Sequence, residues 1–314
     1  MAKRWLPWAL KIALSAAIIW FLLGKVDLGD ALRKAATVRP DMLVLATALM
    51  LLQVLISAVR WRAVLTAMGS GLRFMKALEI VYIGVFCNLA LPSAVGGDAV
   101  RMWKAKSAGL SLAAAVNGVM LERVVTVFGL VLLAALTQPI LRGRLPDLPG
   151  TWVFSLLTGV AGLGMVALMS LDTLPAALRR WAVVRGLAHL AADSRRLFLK
   201  PHAATVLAWV LVGHVNLVMA VHALAVGLGL EVSLLDCLVL VPPVILVTTL
   251  PISIAGWGVR EMAMVTAFGF VGVPAASGLV LSILFGLVIT VSGLPGGVLW
   301  LLSRDRRAAG GMPP

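Results

Sequence analysis

The chain is expected to be an all-α polytopic membrane protein, an inverted repeat of three spans plus one re-entrant helical hairpin per half, six full spans and two hairpins in all. Three observations carry that expectation. First, of 314 residues 61% are hydrophobic and only 13% charged, and the mean hydropathy is +1.04, far from soluble composition. Second, several apolar runs reach the roughly 20 residues needed to cross a hydrocarbon core of about 30 Å. Third, the stretch LPSAVGGDAVR at 91–101 returns as LPISIAGWGVR at 250–260. Aligned without a gap, the copies share Leu91/Leu250, Pro92/Pro251, Gly97/Gly256, Val100/Val259 and Arg101/Arg260, at a constant offset of 159 residues. Irregular backbone cannot face lipid, because its amides and carbonyls would lose water without gaining partners. Paired interruptions in corresponding positions of two halves point to the binding site of inverted-repeat transporters. The plainer alternative is chance, since Pro and Gly are common in membrane helices.

The elements follow in order. A first span is expected at 5–23; its basic start resembles a signal sequence, but no small-x-small site follows and more spans do, so it reads as a retained helix. The charged segment 24–40 fits a short interfacial helix. The second span, 41–57, delivers Arg60, Trp61 and Arg62 to a surface, either as membrane anchors or, for the two arginines, to gather a lipid phosphate. From Met75 only about fifteen apolar positions precede Pro92, and Asp98, Arg101, Lys104 and Lys106 follow within another dozen. That is short for two crossings at roughly 20 residues each, so a re-entrant hairpin fits better. Tyr82 and Asn88 lie on its inbound arm, and Gly96 and Gly97 supply a bend or exposed backbone donors.

The third span, 112–136, carries Glu122 and Arg123 near its centre, where charge is expensive and faces protein or a polar cavity. Neighbours on a helix point about 100° apart, so each needs another partner, and Arg101 is the one expected for Glu122. A proline-containing loop is expected at 137–150 and a fourth span at 152–171. The basic interval 172–202, with Arg179, Arg180, Arg185, Arg195, Arg196 and Lys200, reads as cytoplasmic amphipathic helices on an anionic surface. The fifth span, 203–228, holds His214, Asn216 and His222; structural hydrogen bonds are expected for His214 and Asn216, the alternative being that one of these two reaches the cavity. The second interrupted element runs from Leu234 through Pro242, Pro243, Pro251 and Trp257 to Arg260 and Glu261 and on to Val273. The last span, 275–302, is closed by Arg304, Arg306 and Arg307.

The net charge of +14, from 27 basic and 13 acidic residues, records orientation and contact with anionic headgroups rather than nucleic acid. With the N terminus in the cytoplasm, most basic residues fall on the cytoplasmic side, both termini are cytoplasmic, and the two hairpins open from opposite faces of the cell (inner) membrane. Cys87 and Cys237 are too few and too apolar in setting for a disulfide framework or a metal site. No metal-ligand spacing, phosphate-binding glycine loop or nucleophile elbow is present in the sequence. No catalytic residue, metal or cofactor is therefore expected, and the chain forms one membrane domain, 1–314, with repeats at 1–138 and 151–302.

In that arrangement Arg101 and Arg260 approach a shared cavity from opposite leaflets, and Trp257 stands where the first copy has Asp98. An anionic headgroup meets either arginine, assisted by helix N termini, while its tails stay in the bilayer. Glu122 and Glu261 orient these cations or titrate with them; alternatively Arg101 with Glu122 and Arg260 with Glu261 are structural locks.

The run AVRWRAVLTAMG at 58–69, YIGVFCNLALPSAVGGDAVR at 82–101 and LERV at 121–124 resemble the lysylphosphatidylglycerol synthase transmembrane-region family, also called flippase-like or UPF0104 membrane proteins. The resemblance covers nearly the whole chain. Family members occur alone or fused to a soluble synthase or glycosyltransferase domain, and the membrane part is associated with moving modified lipids between leaflets. By position it implies roles for Arg60, Trp61 and Arg62, for Asn88, Pro92, Gly96, Gly97, Asp98 and Arg101, for Glu122 and Arg123, and for Pro251, Gly256 and Glu261. Cys87 and Leu89 depart from the more polar or aromatic residues that relatives carry around Asn88. Three functions compete: a translocase of an anionic or aminoacylated phospholipid or polyprenyl phosphate; a scaffold for a lipid-modifying synthase or glycosyltransferase; and an intramembrane enzyme using Glu122 or His214.

Overall fold

In a computed structural model, described for residues 24, 28–90, 96–144, 152–170, 190–192, 194, 195, 197, 203–249 and 256–303, every regular element is an α-helix. The expected first span, most of the basic interval 172–202, Pro92, Pro251 and the closing arginines lie outside the described residues.

Helix α1 (Leu28–Ala36) forms within the charged segment 24–40, braced by an Asp30–Lys34 pair at 2.9 Å. Lys34 also donates to Ser277 at 2.9 Å. Helix α2 (Pro40–Ala67) opens with Pro40, whose missing amide proton costs nothing in a first turn. It runs ten residues past the expected end at Ser57, because Arg60 and Trp61 are buried inside the protein rather than set at a surface. Helices α3 (Phe74–Ala90) and α4 (Gly96–Ser107) follow. Helix α5 (Leu112–Arg144) continues through Pro139, so 137–144 of the expected loop are helical. Proline removes one backbone hydrogen bond, and membrane helices tolerate this when hydroxyls serve nearby carbonyls. Thr137, two residues before the proline, donates its hydroxyl to the carbonyls of Leu133 and Ala134 at 3.0 Å each, whereas the carbonyl that Pro139 leaves without its helical amide is that of Ala135.

Helices α6 (Trp152–Met169) and α7 (Ala203–Gly227) come next. Helix α8 (Leu234–Thr248) starts on a capping box in which Ser233 Oγ accepts from the Asp236 amide at 3.1 Å and Asp236 accepts from the Ser233 amide at 3.0 Å. Helices α9 (Val259–Gly269) and α10 (Ala275–Leu302) complete the described chain. Among the described residues four helices are long and apolar enough to cross a membrane: α2, α5 over Leu112–Thr137, α7 and α10.

Packing follows an exchange. Helices α2 and α7 lie along one another, joined by Asn216, which donates to the Leu49 carbonyl at 2.8 Å and to Gln53 at 2.9 Å. Helix α3 packs on α4 and α8 on α9; α4 packs on α5 and α9 on α10. Crosswise, α3 lies against α10 and α8 against α5. The starts of α2 and α7, of α4 and α9, and of α5 and α10 are each separated by 163 residues, as are Gln53 and Asn216. The α3–α10 contact is backbone-close: a Cβ on Gly296 would strike the Tyr82 carbonyl, one on Gly293 would strike Leu89, and one on Gly297 would strike Phe86. At the matching α5–α8 contact the space is filled by Leu130, Val131 and Leu246.

Candidate functional site

Between α2, α4 and α5 the fold gathers charge that no single segment holds alone. Arg60 of α2 donates Nε and Nη2 to Glu122 Oε1 of α5 at 3.1 and 2.6 Å. The other oxygen, Oε2, lies 2.7 Å from Arg101 Nη1 of α4. Glu122 therefore bridges two guanidinium groups, and all three residues are buried. Arg101 also stacks over the Trp61 ring, 4.7 Å from its centroid, a favourable placement for a desolvated cation. Gly84 of α3 makes room for it, since a Cβ there would lie 2.5 Å from Arg101 Cγ. Asp98, in the first turn of α4, accepts from Arg123 Nε at 2.8 Å and keeps its second oxygen 3.6 Å from Arg101 Nη1. The Arg123 side chain is half exposed.

The cluster holds three cations and two anions, and it is not saturated. Arg101 Nε and Nη2 and Asp98 Oδ1 are buried without a hydrogen-bond partner. Buried polar groups are ordinarily satisfied, and an orphaned charged donor is costly enough to call for an explanation. Nε and Nη2 form one edge of the guanidinium, the edge that takes two oxygens of a phosphate or carboxylate side by side.

Other predicted residues have structural partners. Asn88 Oδ1 accepts from the Gly97 amide at 2.9 Å, stitching the start of α4 to the end of α3; a Cβ on Gly97 would collide with Asn88 and with the Gly84 carbonyl. Gly96 is the first residue of α4. Arg62 donates to the Leu72 carbonyl at 3.0 Å and lies over Phe74, fastening the α2–α3 turn. His214 meets the Thr126 carbonyl at 3.0 Å. Among the described residues no group of three metal-ligating side chains forms.

Sequence reasoning did not single out the neighbouring group around Lys104. This lysine is 1% exposed, with its ammonium 5.8 and 5.6 Å from the rings of Trp103 and Trp300 and 3.6 Å from Glu79. Glu79 also holds Lys76 at 2.9 Å. The available signal was spacing, because Lys104 lies three residues beyond Arg101 and shares its face.

The second cluster, at the start of α9, is self-contained. Arg260 Nη2 donates to Glu261 Oε1 at 2.7 Å and Nε approaches both Glu261 Oε1 and Ser282 Oγ at 3.2 Å. Ser282 in turn donates to Glu261 Oε1 at 3.2 Å, and the Gly258 amide donates to Glu261 Oε2. Trp257 underlies the guanidinium at 4.7 Å. Gly256 and Gly258 take φ of 81° and 84°, the left-handed region in which glycine is favoured, and so turn the chain into α9. The far end of Arg260 rests against Gly286, where a Cβ would come 2.8 Å from Arg260 Cζ.

Helical register separates the two arginines. A step of 163 residues puts Glu261 at the place of Asp98, and Gly286 at the place of Arg123. Arg260 thus fills, from its own helix, the space that Arg123 fills from α5. The same step replaces Arg60, Glu122 and Arg101 by Ala223, Phe285 and Met264, all buried in the apolar core. The gapless match of Arg101 to Arg260 is one helical turn out of this register.

The family described as the lysylphosphatidylglycerol synthase TM region matches residues 8–296. No individual curated protein matches the chain. A match over nearly the whole length, on a helical chain with four candidate spans, makes this a multi-pass membrane protein related to lipid handling, and the chain belongs to the lysylphosphatidylglycerol synthase transmembrane-region family.

Proposed function

We propose that the protein is a translocase that carries a lipid with an anionic headgroup between leaflets by alternating access, the headgroup docking on Arg101 while the tails stay in the bilayer. The observation that carries this is the Arg101 edge: a guanidinium 7% exposed, stacked on Trp61, with Nε and Nη2 unpartnered inside a cluster that has one more cation than anion. Buried ionisable groups in a membrane chain mark substrate or ion paths, and Arg123, half exposed beside Asp98, gives an anion its first contact. Arg60 and Glu122 hold the Arg101 fork in place. Arg260 and Glu261 serve as the closed counterpart on the other hairpin, consistent with their mutual satisfaction.

The architecture that goes with this function has six spans and two re-entrant hairpins, in two inverted halves with both termini cytoplasmic in the cell inner membrane. The crosswise contacts of α3 with α10 and α8 with α5, and the recurrence of helix starts at one step, support a twofold relation of this kind. Such halves rock against each other about a central site.

The test is reconstitution in liposomes carrying trace fluorescent lipid, with leaflet-specific quenching. The parent protein should exchange an anionic lipid well above empty vesicles, Arg101→Ala should fall to the empty-vesicle rate, and Arg260→Ala, where folded, should retain exchange. Equal rates for parent, Arg101→Ala and empty vesicles would remove the proposal.

A further inference from the structure

Resting on that reading of Arg101 as the deep headgroup site, we infer that Lys104 is a second phosphate-binding station, through which the lipid headgroup passes between the open end of the α3–α4 pair and Arg101. The two helices run antiparallel. The start of α4 meets the end of α3, where the Gly97 amide donates to Asn88, and Lys104, toward the other end of α4, meets Glu79 in the first half of α3. Lys104 lies three residues beyond Arg101 on the same helix face, about 4.5 Å along the axis. Exposure rises outward from there: Arg101 and Lys104 are buried, whereas the side chains of Glu79 and Lys76 are 27% and 37% exposed. Charged groups therefore line one route from the partly exposed start of α3 to the buried fork of Arg101, and buried ionisable groups in a membrane chain mark such routes.

The two stations are built alike. Glu122 is shared by Arg60 and Arg101, and Glu79 by Lys76 and Lys104, so at each a single carboxylate faces two cations and an arriving phosphate still meets attraction. They differ in grip. The planar edge of Arg101 takes two phosphate oxygens at once, whereas an ammonium is a point charge. A lone tight site would keep what it binds, and passage needs neighbouring sites weak enough to release it. Lys104 supplies the weaker one. Its cover consists of side chains: Trp103 and Trp300 meet edge to face at 6.2 Å, with the ammonium 5.8 and 5.6 Å from their rings. Trp300 stands one turn past Gly296, whose close approach to the Tyr82 carbonyl fixes α10 against α3. The indole can therefore turn aside about its own bonds while the helices stay packed. On α9 the step of 163 residues puts Ala267, a buried core residue, at the place of Lys104, so this position on the other side offers an anion nothing.

The experiment uses the full chain carrying Lys104→Met together with Glu79→Gln, which removes both charges of the contact at little change of shape and so leaves neither uncompensated. Exchange of fluorescent phosphatidylglycerol is followed in liposomes by leaflet-specific quenching, and equilibrium binding of the same lipid by native mass spectrometry in neutral detergent. The double variant should bind phosphatidylglycerol as the parent does, through Arg101, yet exchange it slower by about tenfold or more, one hydrogen bond to a charged group having left the path. Glu79→Gln alone removes the carboxylate beside Lys104. It should melt lower than the parent and be restored by added phosphatidylglycerol, whose phosphate replaces the lost anion, but not by phosphatidylcholine or inorganic phosphate. Exchange at the parental rate in the double variant, or a Glu79→Gln protein stabilised no better by phosphatidylglycerol than by phosphatidylcholine, would make Lys104 with Glu79 a structural contact and overturn the station. Equal stabilisation by inorganic phosphate would overturn it as a lipid station and assign it to the free anion. Arg101→Ala, run alongside, keeps the two readings apart: exchange at the parental rate there removes the deep site, whereas loss of exchange there with full exchange in the double variant removes only the station at Lys104.

Discussion

The charged group at α4 and the charged group at α9 look alike in sequence and differ in what they leave undone. Both place an arginine 4.7 Å over a tryptophan ring beside a buried glutamate. At α9 the glutamate is the next residue on the same helix, where it also receives the Gly258 amide and the Ser282 hydroxyl. That set closes on itself. At α4 the glutamate comes from α5, is shared with Arg60 of α2, and leaves one edge of Arg101 unused. One stretch therefore finishes its own start of helix, and the other is completed by three helices and still has donors to give. Polar groups that are fully matched stabilise a unique arrangement, whereas partly matched ones are a liability unless something binds them.

The contrast can be broken in several ways. The largest effect is expected from Arg101→Ala: removing one partner of a buried charged contact to a bound group costs about 2–5 kcal/mol, so anionic-lipid affinity should fall by about thirtyfold or more, read by native mass spectrometry. Arg101→Lys should not restore it, since an ammonium lacks the two-nitrogen edge. Arg260→Ala leaves Glu261 buried without its cation, a change of about 3–5 kcal/mol in stability. It should lower the melting temperature in detergent strongly, and the double change Arg260→Met with Glu261→Gln should recover most of the loss; similar melting of single and double variants would refute a closed ion pair at α9.

A third change, Gly286→Ala, presses a methyl group onto the Arg260 guanidinium and should destabilise by about 1–3 kcal/mol. Moving the cation, by Arg260→Gly with Gly286→Arg, would copy the Arg123 arrangement; it should melt higher than Arg260→Gly alone if the register of 163 residues is right. The smallest effect is expected at the crossing of α2 and α7, where Asn216→Ala deletes two hydrogen bonds, to Leu49 and Gln53. A net loss of about 1–2 kcal/mol, visible in denaturant titration and with lipid preference unchanged, would mark this contact as scaffold.

Hydropathy located α2, α5, α7 and α10, because a run of roughly 20 apolar residues has few homes other than a span. It placed the end of α2 too early. Arg60 and Trp61 look like a membrane boundary until Glu122, 62 positions later, is known to lie beside Arg60 at 2.6 Å. Long-range partners of that kind have no local signature. Pro139 likewise reads as a loop residue, yet α5 runs on through it to Arg144.

The two Pro- and Gly-containing stretches were legible as a pair, but the helix starts relate them at a different step. Pro and Gly align Arg101 with Arg260, yet Arg101 lies eleven residues before the start of α5 at Leu112 and Arg260 fifteen before the start of α10 at Ala275. Counting back from those starts, rather than forward from the prolines, puts Asp98 opposite Glu261. The difference of four residues is one turn, enough to move a side chain to another depth on the same face.

Lys104 sets a condition on how the protein is made. Its ammonium is enclosed by Trp103 of its own helix and by Trp300 near the end of α10, and the backbone of α3 rests on Gly296 of α10. Until that last helix leaves the ribosome, roughly 200 residues later and on the order of ten seconds or more at ~5–20 residues per second, α3 and α4 lack both Trp300 and the α10 backbone. A nascent chain stopped before α10 should then hold Lys104 against Glu79 and Trp103 but without the cover of Trp300.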